Sequence, residues 1–133
     1  MQAIAFDHIK LQVPSDLFDA AITFYESTLG LPIEGRDLYR KGGKPFVSAR
    51  IAADSIIHIE PVDGPLAMAD RPVDHLAIRM DAPIAEIVAH CEAAGVPIDR
   101  RLDALGAVGD APAVYIRDPT GMRVELKSTV QSG

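Results

Sequence analysis

The segment FDHIKLQV at residues 6–13 is echoed by VDHLAIRM at 73–80. An internal repeat constrains a chain more than any local propensity, because each copy must build the same small unit. Each copy leads into a helical pattern and then a turn of the form Gly-x-Pro-Ile: Gly30-Leu31-Pro32-Ile33, then Gly95-Val96-Pro97-Ile98. His8 and His75 stand 67 positions apart. The later strand-like runs SIIHIEP (55–61) and MRVELKS (122–128) keep that offset, since His58 and Glu125 are also 67 apart. Four landmarks nearly in one register predict two equivalent halves.

Each half reads β-α-β-β-β. The first has strands over about 5–13, 33–40, 44–52 and 55–61 and a helix over about 16–29. The second has strands over about 74–80, 97–103, 112–118 and 122–128 and a helix over about 83–94. Ser15 and Asp81 are the expected N-caps, with Pro83 in the second helix's first turn and Gly30 and Gly95 as C-terminal stops. Leu17, Ala21, Phe24 and Thr28, flanked by Phe18 and Tyr25, form the first helix's apolar stripe; Ile84, Ile87, Val88 and Cys91 form the second's. Residues 62–73, with Gly64, Pro65 and Pro72, read as the linker, and KGGK (41–44) as a hairpin closure between strands two and three. The expected architecture is α+β: two βαβββ modules forming a cupped mixed sheet with helices outside. The modules span about 5–61 and 74–128 of one 133-residue domain.

Strand alternation divides each sheet into faces. Ile9, Leu11 and Val13 oppose His8, Lys10 and Gln12, and Leu76, Ile78 and Met80 oppose His75, Ala77 and Arg79. Ile57 and Ile59 oppose His58 and Glu60, and Val124 and Leu126 oppose Arg123, Glu125 and Lys127. One face of each strand thus packs on a helix, and the polar face meets either solvent or a cleft.

A net charge of −6 and the absence of tryptophan argue against nucleic acid, which selects a basic excess and stacking aromatics. The same charge disfavours an anionic membrane surface, and no apolar run approaches the roughly 20 residues of a membrane span. The start Met1-Gln2-Ala3-Ile4 lacks a signal peptide's basic and apolar regions, and the single Cys91 permits no internal disulfide. The expected setting is cytoplasmic, and the expected partner a small molecule or another protein chain.

Three of the four histidines, with one glutamate, occupy repeat-related positions on polar strand faces. His8, His58, His75 and Glu125 make a donor set suited to Zn, Fe, Ni, Co or Mn. The alternative is a solvated sheet face. Lys10, Arg123 and Lys127 share these faces, and Arg79 that of His75; together they would make a locally basic pocket for an anion, unless Arg79 and Lys127, near strand ends, only reach out to water. Tyr115 is a candidate hydrogen-bond donor, and Arg117 on its face could bind substrate or pair with Asp118. His90 falls on the second helix's polar side and Cys91 in its apolar stripe, so neither is a site residue.

The motifs DHIKLQV with FYESTLGLPI, IIHIEP, VDHLAIRM and YIRDPTGMRVEL together resemble the vicinal oxygen chelate superfamily. Its members include glyoxalase I, methylmalonyl-CoA epimerase, fosfomycin-resistance enzymes, bleomycin-binding proteins and extradiol dioxygenases. The resemblance spans about 5–128. It implies two modules around one divalent metal, with His8, His75 and Glu125 at the family's recurrent ligand positions and His58 at its variable fourth. Glyoxalase I carries glutamate at that fourth position, so His58 departs from its pattern, and Glu60, two residues along on the same face, is either a displaced general base or a plain surface acid. The implied activity is that of a glyoxalase-like metalloenzyme, a lyase, isomerase or thiol-transferase in which the ion polarises substrate oxygens. A homodimer, with or without exchange of modules, is the implied assembly. Two alternatives stand beside it. One is an Fe(II) extradiol dioxygenase, for which the histidine normally found upstream of the tyrosine is missing from residues 105–109. The other is a non-catalytic drug-binding protein.

Overall fold

The structure, a computed structural model, describes residues 1–2, 5–64 and 73–130. Two compact units divide the chain, Met1–Ala67 and Met68–Gly133. Residues 65–72 of the expected linker lie outside the described residues.

In the first unit, the period-two segment at the start becomes β1 (His8–Pro14). A 3₁₀ turn (Ser15–Leu17) leads into α1 (Phe18–Thr23), which widens into a π-helical turn (Phe24–Thr28). The wide turn lets the consecutive Phe24 and Tyr25 both face inward, edge to face at 5.1 Å. Gly30, at φ 71°, ends the helix in the left-handed conformation that glycine adopts without strain. Then come β2 (Ile33–Glu34), α2 (Arg36–Arg40), β3 (Val47–Ala52) and β4 (Ser55–Val62). The sheet order is β1-β4-β3-β2, with β1 parallel to β4 and the other pairs antiparallel. Val13, Val47, Ala49, Ile57 and Ile59 are buried, as are Phe18, Ala21, Phe24 and Tyr25 of the helix.

The second unit repeats the plan without a second helix. It contains β5 (Leu76–Met80), α3 (Ile84–Ala93), β6 (Arg100–Gly106), β7 (Gly109–Arg117) and β8 (Arg123–Ser128). Its order, β5-β8-β7-β6, matches that of the first sheet, again with one parallel pair, β5 with β8. Both units are therefore βαβββ modules with mixed four-stranded sheets.

The repeat extends to the hydrogen-bonded ladder. Lys10 stands opposite His58, and Ala77 opposite Glu125. Ser48 also faces His58 across the ladder, and Tyr115 faces Glu125. Each of these positions differs from its mate by the same 67 residues. The β7–β8 connection is fixed by Asp118, whose Oδ1 accepts from Thr120 N, Thr120 Oγ1 and Met122 N at 2.8, 2.6 and 3.0 Å. This aspartate-centred turn sets the hairpin register that places Tyr115 beside Glu125.

Four local expectations are corrected. The strand expected over 33–40 stops at Glu34, because Gly35 at φ 80° turns the chain into α2. There Tyr39 stacks on Phe18 at 5.3 Å, and Arg36 makes two 2.9 Å bonds to Glu26. The KGGK segment ends that helix and closes no hairpin: Gly42 N and Gly43 N donate back to Tyr39 O and Leu38 O. Ser15 caps no helix; its hydroxyl donates to Val62 O and to Asp63 Oδ1. Pro83, not Asp81, occupies the N-cap of α3, and its carbonyl receives the first helical N–H groups.

Candidate metal centre

On the helix-free face of the first sheet, His8 and His58 lie with ring centroids 4.7 Å apart. Parallel pairing of β1 with β4 brings them there, two residues out of register, since His58 stands opposite Lys10. The Nδ1 of His8 donates to Asp7 Oδ2 at 2.6 Å, which leaves Nε2 as the free donor atom of the neutral ring. His58 Nδ1 is held by Ser48 Oγ at 2.8 Å, a hydroxyl able to serve either tautomer. Phe46 covers the His58 ring at 4.2 Å. Burial holds the His58 pKa below its usual value, aided by the nearby charges of His8 and Lys10. The ring is therefore neutral at pH 7, the form that binds metals.

The second unit holds the other two proposed ligands. His75 sits one residue ahead of β5, not within it as expected, and its Nδ1 donates to Asp74 Oδ1 at 2.7 Å. Asp74 also accepts from Arg123 Nη1 at 3.3 Å. Its pKa is lowered, first by the His75 hydrogen bond and then by the Arg123 charge. Arg123 lies over the Tyr115 ring at 5.0 Å, and Tyr115 lies 5.5 Å from the His75 ring. Arg123 Nε is buried and has no hydrogen-bond partner among the described residues. Glu125 is only 5% exposed, and among the described residues its carboxylate takes part in no hydrogen bond or ion pair. A carboxylate with no protein partner among the described residues is open to a cation.

His8 and His58 thus gather in one unit, while His75 and Glu125 belong to the other. Among the described residues, no three histidine, cysteine, aspartate or glutamate side chains form a cluster fit for an ion. The donor chemistry itself suits a divalent cation: two rings are fixed through Nδ1 by carboxylates, one by a hydroxyl, and the Glu125 carboxylate has no ion pair among the described residues.

The remaining candidates divide. Glu60 is paired with Lys10 at 3.0 Å and accepts weakly from Gln12 Nε2 at 3.4 Å. The Lys10 hydrogen bond, the largest influence, holds its pKa below the normal glutamate range and makes it a poor base at rest. Lys10 also lies 5.4 Å from the Phe46 ring. Arg79 is exposed, beside Lys127 in the β5–β8 ladder. Arg117 pairs with Asp99 at 2.8 Å and not with Asp118. Cys91 is fully buried, and that burial pushes its thiol pKa up. Sequence reasoning missed Asp7, Asp74, Ser48 and Phe46. The repeated Asp-His dipeptide was the available signal for the first two.

The sequence profile of the Glyoxalase/Bleomycin resistance protein/Dioxygenase superfamily matches residues 5–126, and the chain belongs to that superfamily. Its fold is similar to that of a virulence protein from Salmonella typhimurium, at 24% identity and TM-score 0.74, covering 98% of this chain and 100% of that one. A lactoylglutathione lyase from Agrobacterium tumefaciens matches at 21% identity and TM-score 0.67, covering 96% of each chain. A glyoxalase/dioxygenase from Nostoc punctiforme matches at 18% and 0.67, covering 98% of this chain and 99% of that one. Members of the superfamily commonly use a divalent metal and act on small molecules.

Proposed function

We propose that the chain is a glyoxalase-like metalloenzyme of the lyase, isomerase or thiol-transfer type, acting on a small anionic or carbonyl-containing substrate. The observation that carries this reading is Glu125, a largely buried glutamate that forms no ion pair among the described residues, on a strand face shared with Tyr115. His8, His58, His75 and Glu125 would hold the ion, with Asp7, Ser48 and Asp74 fixing the rings. The two modules would complete one site as a single domain joined by residues 62–73, or by exchange within a homodimer. No described helix is long and apolar enough to cross a membrane. A cytoplasmic setting is part of the proposal.

When bound, the ion supplies Lewis acidity that stabilises an anion formed on substrate oxygens. Three neutral imidazoles and one carboxylate leave a divalent ion with net charge near +1, which favours anionic oxygens. Lys10 and Glu60 act as a linked pair. An anionic substrate group competes with Glu60 for Lys10, and loss of that hydrogen bond raises the carboxylate's proton affinity. Glu60 then changes from counter-ion to base. Tyr115 offers its hydroxyl to a substrate oxygen, while Arg123 and Arg79 add positive potential.

Elemental analysis of protein never exposed to chelator, followed by His75→Ala, tests the scheme. Bound divalent metal in the wild type and its loss in the variant are expected; near-normal retention in the variant would overturn the ligand set. A wild type that neither contains nor takes up metal would instead favour a drug-binding protein. A screen across dicarbonyl–thiol adducts, epimerisable acyl thioesters and catechols then assigns the reaction. A second reading, Fe(II) ring cleavage, draws on Tyr115 lying beside His75 and opposite Glu125. Oxygen uptake with catechols would establish it.

A further inference from the structure

The two units treat the same position oppositely. In the first, Glu60 is neutralised by Lys10 and touched by Gln12. In the second, the position 67 residues later is Lys127, and the mates of Lys10 and Gln12 are Ala77 and Arg79. The counter-charge has become a methyl group, and the second partner now carries the same sign as Lys127. Arg79 stands directly opposite Lys127 in the ladder, an arrangement of like charges that destabilises a sheet.

Lys127 is nonetheless 3% exposed. Its ammonium donates to one acceptor, Gly109 O at 2.6 Å, and among the described residues no carboxylate pairs with it. An ammonium has three donors, so this contact leaves two unfilled. The ammonium lies against the turn that joins β6 to β7: a Cβ on Gly106 would stand 2.6 Å from Lys127 Nζ, the movable end of the side chain. Gly106 and Gly109 close the β6–β7 hairpin. Leu105 and Val108, 81% and 65% exposed, put that hairpin's tip at the surface, within a turn's thickness of the ammonium.

We propose that Lys127, with Arg79 beside it, forms an oxyanion-binding subsite for a carboxylate, phosphonate or phosphate group. It lies two residues from Glu125 on the same strand face, about 7 Å along β8. The substrate would therefore carry an anionic group about that far from the oxygens that meet the ion. This service to one substrate rests on the metal reading above; the anion site itself does not.

The test uses chelator-treated full-length protein titrated calorimetrically with inorganic phosphate and, separately, with acetate. Saturable binding is expected for at least one, and the preferred ion tells phosphate-type from carboxylate-type ligands. Lys127→Met should weaken it about tenfold, as loss of one charge-assisted hydrogen bond implies. An unchanged affinity, or no saturable binding of either ion to the wild type, overturns the proposal. Should Lys127→Met fail to fold, Arg79→Glu at an exposed position supplies the missing carboxylate. It should abolish anion binding and keep or raise Tm, and retained binding there refutes the subsite. Metal uptake measured on the same wild-type protein separates the two readings. Lys127-dependent anion binding without metal uptake leaves the subsite standing and removes the metal site; metal uptake without anion binding does the reverse.

Discussion

Replacing Glu125 with glutamine should leave the metal-free protein close to wild type and strip most of the stability that metal adds. The side chain is 5% exposed, and among the described residues it forms no hydrogen bond or ion pair. A glutamine of the same shape keeps the packing and breaks no internal contact, so the chelated proteins should differ by less than about 1 kcal/mol. With metal they separate. Wild type at a free-ion concentration of 100 Kd gains about 2.7 kcal/mol by linkage, and the variant, short of one anionic ligand, gains far less. In a chain of this length that is a difference of roughly 10 °C in Tm. Thermal unfolding followed by circular dichroism, with chelator and with each candidate ion, measures both pairs. An equal rise in Tm for variant and wild type on adding the ion would refute the reasoning, because Glu125 would then not be a ligand.

Three further outcomes follow from the contacts. Asp74→Asn weakens the acceptor that fixes both His75 and Arg123, and should lower metal affinity about 10- to 100-fold by competitive chelator titration. Unchanged affinity would show that Asp74 does not orient the ring. Glu26 is bound by Arg36 through two hydrogen bonds, and that contact lowers its pKa from 4.5. Its contribution is thus present above pH 4.5 and fades as pH falls through the lower folded-state value. Glu26→Gln should reduce Tm at pH 7, with the difference from wild type narrowing as pH falls below 4.5, and a constant difference across that range contradicts the assignment. Ile57→Ala, at a fully buried position, should cost about 2–5 kcal/mol by urea denaturation. A loss under 1 kcal/mol would mean that the first sheet is not packed on α1 as described.

The duplicated fold was legible because period-two alternation and a repeat report the same thing: which strand face is buried. Ile57, Ile59, Val124 and Leu126 needed no other signal. Residues 35–40 were misjudged because Asp-Leu-Tyr-Arg suits strand or helix, and the left-handed Gly35 decides between them. Both N-cap expectations failed for a related reason: Ser15 found tertiary acceptors in Val62 and Asp63, and backbone extension at Pro83 shifted the start of α3. At the candidate site, sequence identified strands and faces but not neighbours. The Lys10–Glu60 pair depends on β1 lying beside β4 with Gln12 opposite Glu60, an order no local pattern encodes.

Buried and polar faces of a duplicated sheet are under different physical constraints. Ile57 and Val124, Ile59 and Leu126, and Val47 and Val114 occupy matching buried positions, where any polar atom would need a partner. The other face tolerates charge, so the halves diverge there: His58 against Glu125, Lys10 against Ala77, Glu60 against Lys127. The first unit neutralises its charges internally, through Lys10 with Glu60 and Arg50 with Glu34. Among the described residues, the second leaves Glu125 without an ion pair and gives Lys127 one carbonyl. Charge without an internal counter-charge adds nothing to the isolated fold and is useful when something else supplies the partner. On the proposed reading, the first unit therefore contributes mainly positioned imidazoles and the second the unmet charges that attract ligands.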